Sequence, residues 1–329
     1  MTNAAVSDSW KRGRDFLGVR QAVLGGAMSW LSERHLVAAI SNAGGFGVLA
    51  TGSMPVELAR AEVRATRALT DKPFGINLII MHPALADYVA MVVEEKVTHC
   101  VLAGGMPGRE TVETLRAGGV KVILFAPSLA LARRLIQRGV DALIIEGHEA
   151  GGHVGPVSTL VLAQEILPHV HEVPVFVAGG IADGVMTAAM ASLGAAGVQV
   201  GTRFVCAGEC VAHANFKQKF IQAQARDAVV TVQFDPALPV IPVRALVNKG
   251  TERFNQLQLD LVRQVREGSK PRAEAQLELE HFWAGALRRA AIDGDVEHGS
   301  VMAGQSVGMV RAIQPAATII EDLVARLEG

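Results

Sequence analysis

From Val173 to Gly184 the chain reads Val-Pro-Val-Phe-Val-Ala-Gly-Gly-Ile-Ala-Asp-Gly, and from Gly197 to Phe204 it reads Gly-Val-Gln-Val-Gly-Thr-Arg-Phe. Each stretch holds a short apolar run that stops at glycine. Runs this short and this rich in valine suit strands buried on both faces. The pattern recurs upstream at Gln21–Met28, Phe46–Ala50, Pro73–Ile80, His99–Gly105, Val120–Pro127 and Asp141–Glu146, which makes eight strand candidates. Amphipathic stretches fill the gaps at 32–42, 55–69, 84–95, 109–117, 128–138, 158–169 and 183–193. Eight strand–helix units in about 200 residues is the count of a (β/α)8 TIM barrel, not of an open doubly wound sheet.

No helix follows the eighth strand directly. A charged, mainly helical stretch comes next, before Ala316–Leu327 offers a closing helix. The division predicted is a barrel core over 15–208, an inserted lid or substrate domain over 209–300, and a return to the barrel over 301–329. Within the insert, Lys217, Lys219, Arg244, Lys249 and Arg253 read as a solvated basic face, with an acidic carrier protein or a nucleotide phosphate as the alternative use. Arg263–Glu280 reads as an exposed helix plus linker, with Gly268-Ser269-Lys270-Pro271 as its mobile part.

Composition limits the function classes. The 329 residues carry 31 Lys+Arg against 32 Asp+Glu, and this near balance argues against a nucleic-acid binder, which needs a positive footprint. Half the chain is apolar, enough for a large core, so disorder is excluded. The longest run without Asp, Glu, Lys or Arg, His35 to Val56, is broken by glycines and Pro55, so no membrane span is expected. Three cysteines and no apolar leader in residues 1–20 predict the cytoplasm. Cys206 and Cys210 could share one helical turn, but no further ligands stand near, so no metal is expected.

Of the 34 glycines, 26 fall in residues 1–208, many at strand ends. At the seventh and eighth strands they read as close backbone approach to a ligand, because barrel phosphate sites recur there. Bare N–H groups, a helix N-terminus and the Thr202 hydroxyl suit a phosphate dianion. Strand six leads into Glu146-Gly147-His148-Glu149-Ala150-Gly151-Gly152-His153. His148-Glu149 and His153 have the wrong spacing for a zinc helix, and Gly151-Gly152 would break it. A glycine-rich loop that carries His153 over the barrel mouth as a proton donor or acceptor is the better reading.

Taken together, Gly151-Gly152-His153-Val154-Gly155, Ala178-Gly179-Gly180-Ile181-Ala182-Asp183-Gly184 and Val200-Gly201-Thr202-Arg203-Phe204 resemble the nitronate monooxygenase (2-nitropropane dioxygenase) superfamily. Gly26-Ala27-Met28-Ser29-Trp30, Lys72-Pro73-Phe74-Gly75-Ile76-Asn77 and Gly294 to Gln305 extend the likeness over nearly the whole chain. The form Gly-Ser-Val-Met-Ala-Gly-Gln at Gly299–Gln305 is most similar to the branch of flavin-dependent enoyl-acyl-carrier-protein reductase II. The resemblance implies FMN, with Gly26, Ala27, Met28 and Asn77 along the isoalloxazine and Glu146 on its side of strand six. It implies Gly179, Gly180, Gly201 and Thr202 at the FMN phosphate with Gln199 close by. Gly151 and Gly152 would join the cofactor site, Met302 and Gln305 would approach the flavin edge, and His153 would be the catalytic histidine.

Two reactions compete under that resemblance. In one, NADH or NADPH reduces FMN, and a 2-enoyl thioester, with acyl carrier protein as a candidate carrier, is reduced in turn. In the other, an alkyl nitronate is oxidised with O2. The nitronate enzymes resemble one another in a tyrosine-lined pocket, and this chain has one tyrosine, Tyr88. The expectation is therefore the reductase. A flavin-free barrel for a phosphorylated metabolite and a non-catalytic binding protein are the further alternatives, and a homodimer is compatible with the resemblance.

Overall fold

The apolar runs become β1 (Val23–Gly25), β2 (Gly47–Ala50), β3 (Phe74–Ile79), β4 (His99–Ala103), β5 (Lys121–Phe125), β6 (Ala142–Glu146), β8 (Val175–Ala178) and β9 (Gly197–Val200). A two-residue strand, β7 (Gly152–His153), lies between β6 and β8 and belongs to another sheet. These elements are those of a computed structural model that describes residues 3–283 and 285–327. The eight long strands pair in parallel in the order β1-β9-β8-β6-β5-β4-β3-β2. A parallel bridge between Leu24 and Phe46 joins the two ends, so the sheet closes into a (β/α)8 barrel.

Helices at 34–42, 56–69, 85–94, 109–117, 129–137, 159–166 and 184–192 form the outer ring, and Ala316–Val324 supplies the eighth. Local chemistry sets their starts. Ser128 accepts from the Leu131 N–H at 3.3 Å, and Asp183 accepts from the Met186 N–H at 3.0 Å. The strands are shorter than the sequence reading had them because their glycine-rich ends leave the ladder as turns. Leu24, Phe46, Ile76, Val122, Ile144 and Phe176 are among the residues buried in the core.

Two features were not read from the sequence. The first is a helix over Asn3–Leu17, whose apolar residues are sparse. Trp10 and Leu17 are nonetheless buried, and the His99 ring meets the Phe16 carbonyl at 3.0 Å. Burial lowers the His99 pKa to about 4, so the ring is neutral and donates from Nε2. The second is that the insert is not purely helical. β10 (Ala228–Val230) and β11 (Val243–Leu246) pair antiparallel, and β11 also pairs with β7. Helices at 214–222, 249–266, 272–283 and 286–291 complete the insert. Phe216, Phe220, Ala290 and Ala291 join the barrel core, while a separate small core that includes Leu238, Phe254, Leu261 and Leu279 lies at helices 249–266 and 272–283. Gly268–Pro271 is a tight turn between two of them, entered through Gly268 at φ +71°.

The basic face is corrected. Lys217 and Arg244 are buried, and only Lys219, Lys249 and Arg253 of the five are exposed. Lys217 is satisfied by the Ala207 carbonyl at 2.7 Å, and Arg244 by carbonyls as described below.

Helix 3–17 seats on the barrel through Gly13, where a Cβ would lie 1.8 Å from the Ala196 carbonyl oxygen. Gly13→Ala is therefore expected to lower stability by about 1–3 kcal/mol, read as a lower urea midpoint. An unchanged midpoint would contradict this seating.

Candidate active site

The C-terminal ends of the barrel strands gather most of the residues singled out by sequence. Gly26, Ala27 and Met28 form the turn after β1, held by Ser32, whose hydroxyl donates to the Gly26 carbonyl at 2.8 Å and accepts from the Met28 N–H at 2.9 Å. The Gly26 N–H donates to the Val200 carbonyl at 2.9 Å, and a Cβ on Gly201 would sit 3.5 Å from the Met28 sulfur. The turns after β1 and β9 are thus neighbours. Just beyond, Trp30 stands at φ +69° in the left-handed region, with the Arg288 guanidinium 5.8 Å from its ring. That contact ties the first turn to the insert.

Gly179 and Gly180 follow β8 at φ +91° and +78°. β8 and β9 are in register, Ala178 opposite Gln199, so Gly180 and Gly201 stand side by side at the mouth. Among the described residues, no acceptor in the protein takes up the N–H of Gly180, Gly201 or Thr202. At the helix N-terminus at 184 the Asp183 side chain already takes up the Met186 N–H. The Thr202 hydroxyl accepts from the Gly304 N–H at 3.1 Å.

Three polar side chains ring the barrel interior below. Asn77, in β3, is buried and donates to the Val101 carbonyl at 3.1 Å. Glu146 ends β6 opposite Ala178, and Gln199 lies opposite Ala178 on the other side. Among the described residues neither Glu146 nor Gln199 has a side-chain hydrogen bond or ion pair. Burial without a partner pushes the Glu146 carboxyl up to about 7. Unsatisfied groups of this kind at the mouth of a barrel are what a polar, planar ligand would satisfy. The amide turns and these free polar ends together fit the phosphate and the ring of the FMN that the sequence resemblance implied.

His153 sits on a loop pinned from several sides. Gly151 packs backbone to backbone on the return segment, where a Cβ would lie 2.5 Å from the Gly304 nitrogen. A Cβ on Gly152 would lie 3.7 Å from the Met302 sulfur, and the Gln305 N–H donates to the Glu149 carbonyl at 2.9 Å. β11 pairs with β7, placing Val243 opposite His153 and Arg244 opposite Gly152. Arg244 donates from Nη2 to the His148 carbonyl at 3.0 Å and from Nη1 to the Ala228 carbonyl. The His153 side chain is open to solvent on one side, while the protein on its other side lowers its pKa by desolvation.

The other two members of the His-Glu-His run are structural. His148 Nδ1 meets the Gly155 carbonyl at 2.8 Å, and the Glu149 carboxylate accepts from the Thr159 N–H and hydroxyl at 2.8 and 2.9 Å. Cys206 and Cys210 are buried thiols whose pKa values burial raises. Gly304 and Arg244 were missed as site residues. Gly304 stood in plain view between Ala303 and Gln305, whereas the burial of Arg244 has no local signature. A broad open groove of ≈ 740 Å3 runs elsewhere, past Asp183, Arg203, Arg311, Gln314 and Asp322, and none of the mouth residues above lines it.

A closed parallel barrel with free amide donors and unpaired polar groups at its C-terminal mouth is an enzyme of the TIM-barrel class. A family model described as nitronate monooxygenase matches residues 11–92 and 85–326. The structure of FabK from Thermotoga maritima is 38% identical, with a TM-score of 0.87 over 96% of each chain. The (3aS,4S,5R,7aS)-5-hydroxy-7a-methyl-1-oxo-octahydro-1H-indene-4-carboxyl-CoA dehydrogenase of Mycobacterium tuberculosis is 30% identical over 94% of each chain. A nitronate monooxygenase of Paraburkholderia phytofirmans is 30% identical, covering 95% of this chain and 92% of its own. The chain belongs to the nitronate monooxygenase family and is an oxidoreductase. Among the described residues no helix is long and apolar enough to cross a membrane.

Glu146 makes the stability of the ligand-free protein depend on pH. Its carboxyl titrates near 7 when folded and near 4.5 as the ordinary group, so the folded state holds the extra proton between those values. Stability relative to Glu146→Gln is expected to fall as pH rises from 4.5 to 7, by up to about 3 kcal/mol, and then level off. Urea unfolding of both proteins, stripped of small molecules, measures the difference. A gap that is constant with pH would contradict the assignment.

Proposed function

We propose that this protein binds FMN at the barrel mouth and reduces the double bond of a 2-enoyl thioester with electrons from NADH or NADPH. The observation that carries the choice of substrate is the setting of His153. Its strand partner is Val243, and the Met302 sulfur borders the adjacent Gly152. Tyr88 is buried in the outer helix 85–94 and gives its hydroxyl to the Met54 carbonyl, so it lends no phenol to the mouth. An apolar, phenol-free setting suits a hydrocarbon chain better than a small anion. The CoA-ester name of the Mycobacterium tuberculosis relative supports a thioester, and the name of the Paraburkholderia phytofirmans relative supports the alternative, nitronate oxidation.

In this reading Gly179, Gly180, Gly201 and Thr202 hold the cofactor phosphate through backbone N–H groups. Gly26, Ala27, Met28, Asn77, Gly151, Gly152, Met302 and Gln305 line the ring system, and Glu146 and Gln199 offer it their free polar ends. Bound FMN supplies two-electron hydride chemistry that no side chain offers. His153 holds a proton next to the substrate, gives it to the carbon beside the thioester carbonyl, and regains one from solvent on its open side. The insert, residues 209–300, acts as the substrate domain, and the carrier of the acyl group is CoA or acyl carrier protein.

The purified protein is expected to be yellow, absorbing near ~450 nm. With 2-enoyl-CoA as substrate, kcat/KM is expected to decline as pH rises through a His153 pKa lying below 6.5, because the proton donor is then lost. His153→Gln is expected to abolish that limb and lower kcat by about 10²–10⁴-fold. An unchanged pH profile in His153→Gln, or a colourless protein that takes up no added FMN, would overturn the reading.

A further inference from the structure

A cavity of ≈ 80 Å3 lies in the insert, walled chiefly by Val229, Val243, Ala245, Val247, Phe254 and Trp283. Strand register relates it to the active site. Directly opposed residues of antiparallel strands send their side chains to one face of the sheet, and successive residues alternate. Val243 opposes His153, while Ala245 opposes Val229 on one side and Met302 on the other. His153, Met302, Val229, Val243 and Ala245 therefore share a face, and alternation adds Val247. Arg244, on the opposite face, reaches back to the His148 carbonyl. The cavity opens on the same sheet face from which the catalytic histidine projects.

The cavity is apolar where it is walled by the sheet and aromatic where the helices cover it. Val243 and Ala245 are buried, and the Phe254 and Trp283 rings are 4.6 Å apart. Val229 and Val247 are 40% and 54% exposed, an apolar rim with nothing packed over it. Complete ligand pockets have volumes of about 300–1,000 Å3, so a cavity this small takes part of a ligand. Thr231, Thr251, Glu252 and Asn255 complete the lining, which holds no cationic side chain for a phosphate. A hydrocarbon end fits its lining.

We propose that this cavity receives the far end of the substrate acyl chain, with Val229 and Val247 as its rim and Phe254 and Trp283 limiting its size. This rests on the enoyl-thioester reading and adds what that reading leaves open, namely that the insert selects acyl length. Extra methylene groups would leave water for apolar walls without disturbing the thioester end at His153.

The test uses the FMN-loaded protein and two saturated, unreactive probes, butyryl-CoA and octanoyl-CoA, titrated by calorimetry. The longer probe is expected to bind about tenfold or more tightly than the shorter. Val247→Trp, which fills the cavity from an exposed position, is expected to bring that ratio close to one. Trp283→Ala, which enlarges it, is expected to raise the preference for dodecanoyl-CoA over octanoyl-CoA, and it stands as the test if Val247→Trp does not fold. Equal affinities for the two probes in the parent protein, or ratios unmoved by the folded variants, would overturn the proposal. Turnover separates this from the parent reading: an intact length preference with no reduction of 2-octenoyl-CoA would overturn the reductase and leave the cavity assignment standing.

Discussion

Gly151 and Gly304 lie backbone against backbone, and the rest of the site depends on that contact. A Cβ on either would come within about 3 Å of main-chain atoms of the other's strand of chain. The contact brings the loop after β6 onto the segment that returns from the insert, more than a hundred residues later. It sets Met302 beside Gly152 and Thr202 beside Gly304, so three remote parts of the sequence meet at one point. Such close approach is open only to glycine, and it replaces side-chain packing by main-chain hydrogen bonds.

A second constraint comes from the insert. β11 adds itself to β7, and Arg244 crosses behind the sheet to hold the His148 carbonyl. Burying a guanidinium is costly unless its donors are met, and here the carbonyls of His148 and Ala228 meet them. The arrangement makes the histidine loop a shared element of barrel and insert. A change in the insert that shifts β11 must shift His153, so the insert and the histidine loop are mechanically coupled. By contrast, among the described residues the side chains of Glu146 and Gln199 have no protein partner, which leaves them free to meet a bound ligand.

Much of this was legible in the sequence because period and punctuation agreed. The barrel strands and ring helices announce themselves through apolar runs, amphipathic gaps and glycine stops, and the helix over 109–117 falls where the pattern puts it. Gly26, Gly180, Gly201 and His153 stood at strand ends, where a barrel places its ligand. What stayed hidden was set by tertiary contact. Helix 3–17 carries only a thin stripe, Val6, Trp10 and Leu17 with Gly13 between, which is easily passed over without its packing on Ala196 and His99. β10 and β11 are too short to declare themselves without β7 beside them. Arg244 and Lys217 look like surface charges because carbonyl partners leave no trace in composition.

Electron transfer from a nicotinamide to an enoyl thioester at the barrel mouth is the step proposed for this protein. Anaerobic stopped-flow mixing of the FMN-loaded protein with NADH or NADPH, followed by 2-octenoyl-CoA, tests it most directly. Rapid bleaching of the flavin absorbance by one of the nicotinamides, and its recovery on addition of the thioester, are expected. Bleaching by an alkyl nitronate but by neither nicotinamide would contradict it.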